Sequence, residues 1–277
     1  MEYRYGIVAY FDILGFKSLI YNNEKILEEV LILLSFLRKK SDAPNVLPMQ
    51  SVIDGSTFSD SFVRVVLKGD APDLQQLAMS ELIHLENIQR QIIHKFGLFV
   101  RGAITIGQIF IENNIIVGPA LVRAVELEER YTNRMPVILL DHNIDILIKL
   151  KEKKDVPKTL EEASRFTQNG NPISILNYSN IFSLGLGIGN RDEGKKRALD
   201  FLAEQRCVIL NAIEQFTDKP DILSKYKWLA CYHNREIHKA EQLKNFQPEY
   251  KELCKQLVTE HDVPDVDNFE FYFQTWN

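Results

Sequence analysis

Apolar and polar positions at the start of the chain predict a buried strand followed by a long amphipathic helix. The run Ile7–Phe16, IVAYFDILGF, is rich in β-branched and aromatic residues and contains one carboxylate, Asp12. Gly15 allows a tight turn after this strand. From Leu14 to about Lys40, apolar residues recur at steps of three and four, which predicts a helix with one buried face.

The segments that follow predict a small sheet with covering helices. The order of predicted elements is strand, helix, strand, strand, helix, strand, as in a ferredoxin-like α+β fold, in which helices cover an antiparallel sheet. Beyond the first strand and helix, these elements are a strand at Met49–Ile53, a turn at Asp54–Gly55, a strand at Phe62–Leu67, a helix from Asp73 to about Lys95 that ends at Gly97, a strand at Leu98–Ile106, a hairpin at Gly107–Val117 that turns near Asn113–Asn114, a short helix at Pro119–Arg130 and a strand at Pro136–Leu140.

The secondary-structure signals weaken after Asp141. Ile181–Ile188 could form a last strand, and from Arg191 onward the spacing of apolar residues is helical. Trp228 and Tyr232 lie one helical turn apart, which favours a packing stripe over a base-stacking platform. We therefore expect an α+β domain over residues 1–185 and a helical C-terminal extension over residues 186–277.

Composition narrows the class of protein. The formal net charge is -5 and the pI about 5.8, which argues against a general nucleic-acid or membrane-surface binder because phosphate backbones require clustered Lys and Arg. We see no signal peptide and no apolar run of about 18 residues or more that could span a membrane. The three cysteines are odd in number and form no CxxC pair, which is typical of reduced thiols in a cytoplasmic protein.

Two carboxylates are candidates for chemistry. Asp12 lies at the end of the first predicted strand, and Asp60, in FSDSF, lies where the strand after the hairpin begins. Because these strands are neighbours in a ferredoxin-like sheet, both carboxylates can fall at one rim, where they repel each other unless a cation such as Mg²⁺ or Mn²⁺ lies between them. The alternatives are that Asp12 caps the following helix and that Asp60 is a turn residue.

Four motifs in order resemble the catalytic domain of class III nucleotide cyclases over roughly residues 5 to 140. They are IVAYFDILGF, FSDSFVRVV, FVRGAITIGQIF and VGPALVRAVELEE. Within that family the chain is most similar to the short bacterial pyrimidine cyclases of antiphage defence (the Pycsar type), in which the counterparts of three segments recur. These segments are Arg101–Gly107, Gly118–Leu121 and Lys225–Asn234 (KYKWLACYHN).

The resemblance implies a cyclase that converts UTP or CTP to cUMP or cCMP and pyrophosphate. Asp12, Asp60 and the backbone carbonyl of Ile13 would hold two Mg²⁺ or Mn²⁺ ions, and Arg101 would contact the triphosphate. An ordinary salt bridge at the sheet rim is the other interpretation of Arg101. The family also implies a head-to-tail homodimer, with base and ribose contacts from the second subunit, and a separately encoded effector that senses the cyclic nucleotide.

Departures from the family bear on substrate and activity. Ser56 and Ile115 occupy the positions that read adenine in adenylyl cyclases, and neither residue supplies a charge there, which favours a pyrimidine. Val122 and Glu126 occupy the positions of the Asn and Arg that steady the ribose and the transition-state phosphate. Arg123 is one residue from the Asn position, about 100° around a helix. The rival interpretation is therefore a non-catalytic cyclase-homology module that binds a nucleotide or a partner.

Overall fold

The computed structural model describes residues 2–16, 20, 26–41, 52–58, 60–69, 73–113, 115–132, 136–149, 165–168, 171–176, 178–179, 191–241, 250–264 and 266. The chain forms two compact units. The first comprises Met1–Gln89, Leu98–Phe166 and Ile173–Leu176, and the second comprises Arg90–Gly97, Thr167–Pro172 and Asn177–Asn277. The predicted boundary between residues 185 and 186 lies outside the described residues and stays a prediction.

The described strands form one sheet in the order β2-β3-β1-β4-β6-β8-β7, with β5 paired to β4. Neighbours in the block β2-β3-β1-β4 are antiparallel, and β6 runs parallel to β4. This block has the ferredoxin-like order with β1 in the interior, so the predicted α+β fold is confirmed. The strands are β1 (Arg4–Ile13), β2 (Val52–Phe58), β3 (Ser61–Leu67), β4 (Val100–Glu112), β5 (Ile115–Val117), β6 (Ile138–Leu140), β7 (Arg165–Gln168) and β8 (Asn171–Ile175).

Two of the helices before residue 150, those after Asp73 and after Gly118, begin where the sequence pattern predicts them. The Asp73 carboxylate accepts a 2.9 Å hydrogen bond from the Gln75 backbone N–H and so caps the second helix, which Gly97 ends with a positive φ of 61°. The helix predicted after Gly118 is α-helical over its first nine residues and continues as a π-helical turn, Glu128–Thr132. The helices are α1 (Ile26–Ser41), α2 (Leu74–Phe96), α3 (Pro119–Leu127) and α4 (His142–Lys149).

The two faces of the sheet carry different chemistry. On one face lies Arg64 of β3, which is buried and forms a salt bridge with Glu81 of α2, with 2.7 Å between Nε and Oε1. On the other face, Val8 of β1 and Val65 of β3 form a core cluster with Ala120 of α3. Because side chains alternate along a strand, Asp12 lies on the same face as Val8 and α3.

The connection between β2 and β3 differs from the prediction. Asp54 and Gly55 do not form the turn; they lie within β2, where they pair with Val65 and Arg64. The chain reverses between Phe58 and Ser61, which are paired across the two strands. Seven consecutive cross-strand pairs outweigh the local preference of Asp-Gly for a turn. The prediction at Asp54–Gly55 was therefore wrong, and Asp60 lies in the tight turn itself.

The described residues from Arg191 onward are largely helical, as the spacing of apolar residues predicts, with α5 (Arg191–Gln215), α6 (Pro220–Glu241) and α7 (Tyr250–Cys254). Trp228 and Tyr232 of α6 are buried and stack with ring centroids 5.5 Å apart, so the packing interpretation of this pair is confirmed. The strand expected at Ile181–Ile188 lies outside the described residues. No described helix is both long and apolar enough to cross a membrane.

Candidate active site

Asp12 and Asp60 come together at one end of the antiparallel block. Asp12 is the penultimate residue of β1, and Asp60 lies in the turn between β2 and β3. The backbone N–H of Ile13 donates a 3.2 Å hydrogen bond to the carbonyl oxygen of Asp60, which fixes the turn against the end of β1. Both carboxylates therefore lie at one rim of the sheet. Their role in binding metal stays a prediction.

Arg101 faces Asp12 from the neighbouring strand. The two residues are cross-strand partners in the β1–β4 ladder. Nε and Nη2 of Arg101 lie 2.9 and 2.6 Å from the same carboxylate oxygen, Asp12 Oδ2. Gly102 lets the two strands approach closely, because a Cβ there would clash with the carbonyl oxygen of Tyr10. The contact between Arg101 and Asp12 is thus set by backbone packing.

A short hydrogen-bond chain reaches the other oxygen of Asp12. The hydroxyl of Tyr10 donates to Ser61 Oγ at 3.1 Å, and Ser61 Oγ donates to Asp12 Oδ1 at 3.4 Å. Burial raises the pKa of the Tyr10 hydroxyl, and although its bond to Ser61 lowers that pKa, the nearby carboxylates of Asp12, Glu128 and Asp60 raise it further. Tyr10 is therefore a neutral donor at physiological pH, and it orients Asp12 through Ser61.

Glu128 is a third carboxylate at this end of the sheet, and sequence reasoning did not single it out. It is the first residue of the π-helical turn after α3 and only 5% exposed. Its Oε1 lies 3.0 Å from Nε of Arg101, so one guanidinium contacts two carboxylates. The acidic run Glu126–Glu129 was visible in the sequence, but only the fold brings one of its members to Arg101.

The charges of this cluster favour a cation. Burial raises the pKa of the Asp12 carboxyl, the hydrogen bond and charge of Arg101 lower it, and the charge of Asp60 raises it, with a net value of about 6. Three carboxylates and one guanidinium carry a net charge of −2 when all are ionised. An arrangement in which Arg101 only partly offsets the acidic groups fits a divalent cation with oxygen ligands. Glu128 does not complete a set of three ligands, since within the described residues no group of three or more His, Cys, Asp or Glu side chains is placed to hold a metal ion; the candidate side-chain ligands are therefore Asp12 and Asp60.

The residues aligned with the family's ribose and phosphate contacts lie on α3 and do not join the cluster. Val122 is 56% exposed and Glu126 is exposed. Arg123 forms a salt bridge with Asp141, with Nη2 3.1 Å from Oδ1. Asp141 is buried and also accepts a 2.6 Å hydrogen bond from Thr105. Arg123 is therefore tied to the end of β6 in this structure.

The two positions aligned with adenine readout lie on different strands. Ser56 is in β2 opposite Val63, and Val63 is opposite Tyr10, so Ser56 lies two cross-strand rows from the row of Asp12. Ile115 begins β5 opposite Glu112 and is 60% exposed. The structure thus places Ser56 two cross-strand rows from Asp12 and Ile115 on a separate hairpin. Their roles in binding a base stay predictions.

Comparison with solved structures gives similarity to nucleotide cyclases at low sequence identity. One is the adenylyl cyclase CyaB from P. aeruginosa (18% identity, TM-score 0.39, covering 63% of this chain and 93% of that chain). Another is the catalytic core of a rhodopsin-guanylyl cyclase with converted specificity, in complex with ATPαS (16%, TM-score 0.37, 63% and 94%). A third is the adenylate/guanylate cyclase/hydrolase from Silicibacter pomeroyi (18%, TM-score 0.39, 63% and 96%).

No protein-family model matches the sequence, and no curated protein matches it. The likeness to solved structures concerns the fold and carries no conclusion about activity.

Proposed function

We propose that this chain is a nucleotide cyclase that converts UTP or CTP to cUMP or cCMP and pyrophosphate. The observation that carries the proposal is the meeting of Asp12, Asp60 and Arg101 at one end of the sheet. Two carboxylates and one guanidinium are the groups that a metal-dependent phosphoryl transfer needs from a protein, because most of its catalysis is charge stabilisation and positioning. The ordered motifs of the sequence support the same reaction class.

Each residue has a proposed task. Asp12 and Asp60, with the Ile13 carbonyl, would hold two Mg²⁺ or Mn²⁺ ions. When bound, such ions lower the pKa of the attacking 3′-hydroxyl and neutralise the phosphates of the leaving pyrophosphate. Arg101 would bind the triphosphate through its guanidinium N–H groups. The net negative charge of the cluster supports the metal assignment, since without a cation it would repel a triphosphate.

A pyrimidine substrate is proposed from the residues at the two base-reading positions. Ser56 offers a hydroxyl and Ile115 an apolar surface, and neither reproduces the charged pair that reads adenine in family adenylyl cyclases. In the Pycsar-type cyclases that the motifs resemble, the product is an alarm signal of antiphage defence that a separate effector senses. We extend that role to this chain as part of the proposal.

The proposed assembly is a head-to-tail homodimer. Ile115, Val117 and Val122 are all about half exposed or more, on β5 and at the start of α3. Three exposed aliphatic side chains on adjoining elements support an interface there, because burial of apolar surface favours protein association. The second subunit would contribute base and ribose contacts to the metal-binding residues of the first.

One observation favours a second candidate, a non-catalytic module that binds a nucleotide or a partner. Arg123 is held by Asp141, and Val122 and Glu126 cannot act as the Asn and Arg of the family. Incubation of the purified chain with each of the four nucleoside triphosphates and Mn²⁺ separates the two candidates. The proposal predicts pyrophosphate release and a cyclic pyrimidine nucleotide. If no triphosphate gives a product at high protein concentration, the non-catalytic binding module is the remaining candidate.

A further inference from the structure

Asp12 faces two demands that one carboxylate oxygen cannot meet at the same time. In this structure, Nε and Nη2 of Arg101 both contact Asp12 Oδ2. A carboxylate that coordinates a cation uses the same lone pairs that accept those N–H bonds. Oδ1 of Asp12 accepts only a 3.4 Å hydrogen bond from Ser61, so the competition concerns a cation that Asp12 holds through Oδ2 or through both oxygens. Such a cation competes directly with the ion pair between Asp12 and Arg101, whose side chains are 13% and 21% exposed.

Glu128 provides another partner for the same guanidinium. Its carboxylate is buried and lies 3.0 Å from Arg101 Nε, the nitrogen that also lies 2.9 Å from Asp12 Oδ2. A guanidinium carries five N–H donors in a planar fork and can contact two carboxylates at once. Glu128 can therefore keep Arg101 in a charge-assisted contact after Asp12 has turned to a cation.

The backbone that carries Glu128 is built for a fixed position. The N–H of Glu128 donates to the carbonyl oxygens of both Ala124 and Val125, which are the i−4 and i−3 bonds at the end of α3, and the π-helical turn begins at the same residue. Short π-helical segments are uncommon and occur frequently at functional sites. The widened turn sets the direction in which Glu128 leaves the helix, toward the end of β4.

We propose that Glu128 is a positioning residue that takes over the Arg101 guanidinium when Asp12 binds a divalent cation. The inference rests on the metal-binding role of Asp12 in the proposed function. Glu128 itself does not contact the cation. The N–H groups of Arg101 that leave Asp12 become available to an anionic substrate, while the contact with Glu128 keeps the guanidinium at the site. Glu128 thus links the binding of a cation by Asp12 to the availability of the Arg101 N–H groups for an anionic substrate.

Mn²⁺ affinity, measured without nucleotide on the full-length chain, tests this proposal through a double-mutant cycle. Glu128→Gln is expected to weaken Mn²⁺ binding about tenfold when Arg101 is present, and less than about threefold in an Arg101→Gln background. Equal weakening in both backgrounds would mean that Glu128 acts through its own charge or as a ligand. It would overturn the proposed transfer of Arg101 from Asp12 to Glu128. No weakening in either background would overturn it as well.

Two further variants keep the test sharp. Glu129→Gln removes the neighbouring carboxylate, which is exposed, and is expected to change Mn²⁺ affinity less than about twofold. Glu128→Asp retains the charge but withdraws it by one methylene, and is expected to weaken Mn²⁺ binding. Wild-type affinity in Glu128→Asp would assign the effect to charge alone and overturn the proposal.

The measurement separates this inference from the proposed function. A wild-type chain that fails to bind Mn²⁺ would overturn the proposed transfer of Arg101 from Asp12 to Glu128. A chain that binds Mn²⁺ with the expected coupling between Glu128 and Arg101, yet forms no cyclic product from any nucleoside triphosphate, would overturn the cyclase activity and leave that transfer in place.

Discussion

Asp12 and Arg101 stand opposite each other on adjacent strands, and both nitrogens that Arg101 directs at Asp12 contact one carboxylate oxygen, at 2.9 and 2.6 Å. Because the contact joins cross-strand partners, it depends on the register of β1 and β4 more than on side-chain flexibility. The Asp60 turn is bonded to the same strand end through Ile13. Three elements thus bring their charged residues to one place by backbone hydrogen bonds.

The first prediction concerns the two carboxylates. Asp12→Asn and Asp60→Asn are each expected to lower the rate of cyclic nucleotide formation at least about 100-fold, since each removes a proposed metal ligand. Circular dichroism should show unchanged secondary structure. Asp200→Asn, an exposed substitution on α5, is the matched control and should retain the wild-type rate. Full activity in either Asp12→Asn or Asp60→Asn would show that the substituted residue is not a metal ligand.

The second prediction is that Asp12→Asn stabilises the metal-free protein at neutral and alkaline pH. Folding raises the pKa of Asp12 from its ordinary 3.8 to about 6, mainly through burial. The cost of ionising Asp12 is therefore absent below pH 3.8, grows between pH 3.8 and 6, and is complete above pH 6. At pH 8 the variant should exceed the wild type by up to about 3 kcal/mol in denaturant unfolding.

Added Mn²⁺ should reverse that order, because only the wild type has the carboxylate that a cation would stabilise. A variant that is less stable than the metal-free wild type at pH 8 would indicate that the ion pair with Arg101 outweighs burial.

The third prediction tests the proposed dimer. Val117→Glu places a charge among the exposed aliphatic side chains of β5 and α3 and is expected to convert a dimer to a monomer in sedimentation velocity. Activity should fall with it, since the second subunit would supply base and ribose contacts. Ile32→Glu on α1 is the control, because Ile32 has similar exposure on another element. A wild-type chain that sediments as a monomer at working concentration would contradict the assembly.

The fourth prediction concerns Asp141, which caps α4. Its Oδ1 accepts the backbone N–H of His142 at 2.9 Å, and its Oδ2 accepts the Thr105 hydroxyl. Asp141→Ala should cost about 2 kcal/mol because a helix cap and a buried hydrogen bond are both lost. Arg123→Ala should cost less than about 1 kcal/mol, since Arg123 is half exposed. Chemical denaturation of both variants measures the difference.

Arg123→Ala also carries a kinetic prediction. Its guanidinium is engaged by Asp141, so we expect kcat/KM to change less than about threefold. A fall of about 100-fold in kcat/KM would mean that Arg123 makes the phosphate contact expected of the position that Glu126 occupies.

The fifth prediction is that His233 makes the helical unit sensitive to acid. His233 is buried, with Nδ1 2.8 Å from Gln205 Oε1 and Nε2 2.7 Å from the Gln256 carbonyl oxygen; the neutral ring has one N–H and donates to one of these oxygens. Burial lowers its pKa from 6.5 to about 4, so the neutral ring contributes stability above pH 6.5 that is lost as pH falls toward 4. The loss can reach about 3 kcal/mol.

His233→Gln should flatten this part of the pH profile of unfolding, whereas His261→Gln, at an exposed position, should leave it unchanged. An identical acid-dependent slope in the wild type and His233→Gln would contradict the assignment to His233.

Sequence patterns predicted the elements where local signals and tertiary packing agree. The first strand, the helix that Gly97 ends and the turn after Glu112 fall where periodicity and turn residues put them. The Asp54–Gly55 turn failed because strand pairing overrode a local preference. Strands β7 and β8 were missed, since their short runs carry little periodicity.

The site was predictable to the extent that its residues lie at predicted element ends. Asp12, Asp60 and Arg101 could be selected from the sequence because strand order brings their elements together. Glu128 could not, because its contact with Arg101 depends on where a helix widens into a π-helical turn. Asp141 was also not selected, because its partners, Thr105 and Arg123, are distant in sequence and only the fold brings them together.

The two-residue connection between β2 and β3 makes this rim intolerant of changes in chain length. A single inserted residue near position 59 would either lengthen the turn or shift β2 by one register, and a one-residue slip exchanges the two faces of a strand. Either change would displace Asp60 from Ile13 while leaving every side chain of the cluster unaltered. Proteins that share this arrangement should therefore vary in residue type along β2 long before they vary in the number of residues at its end.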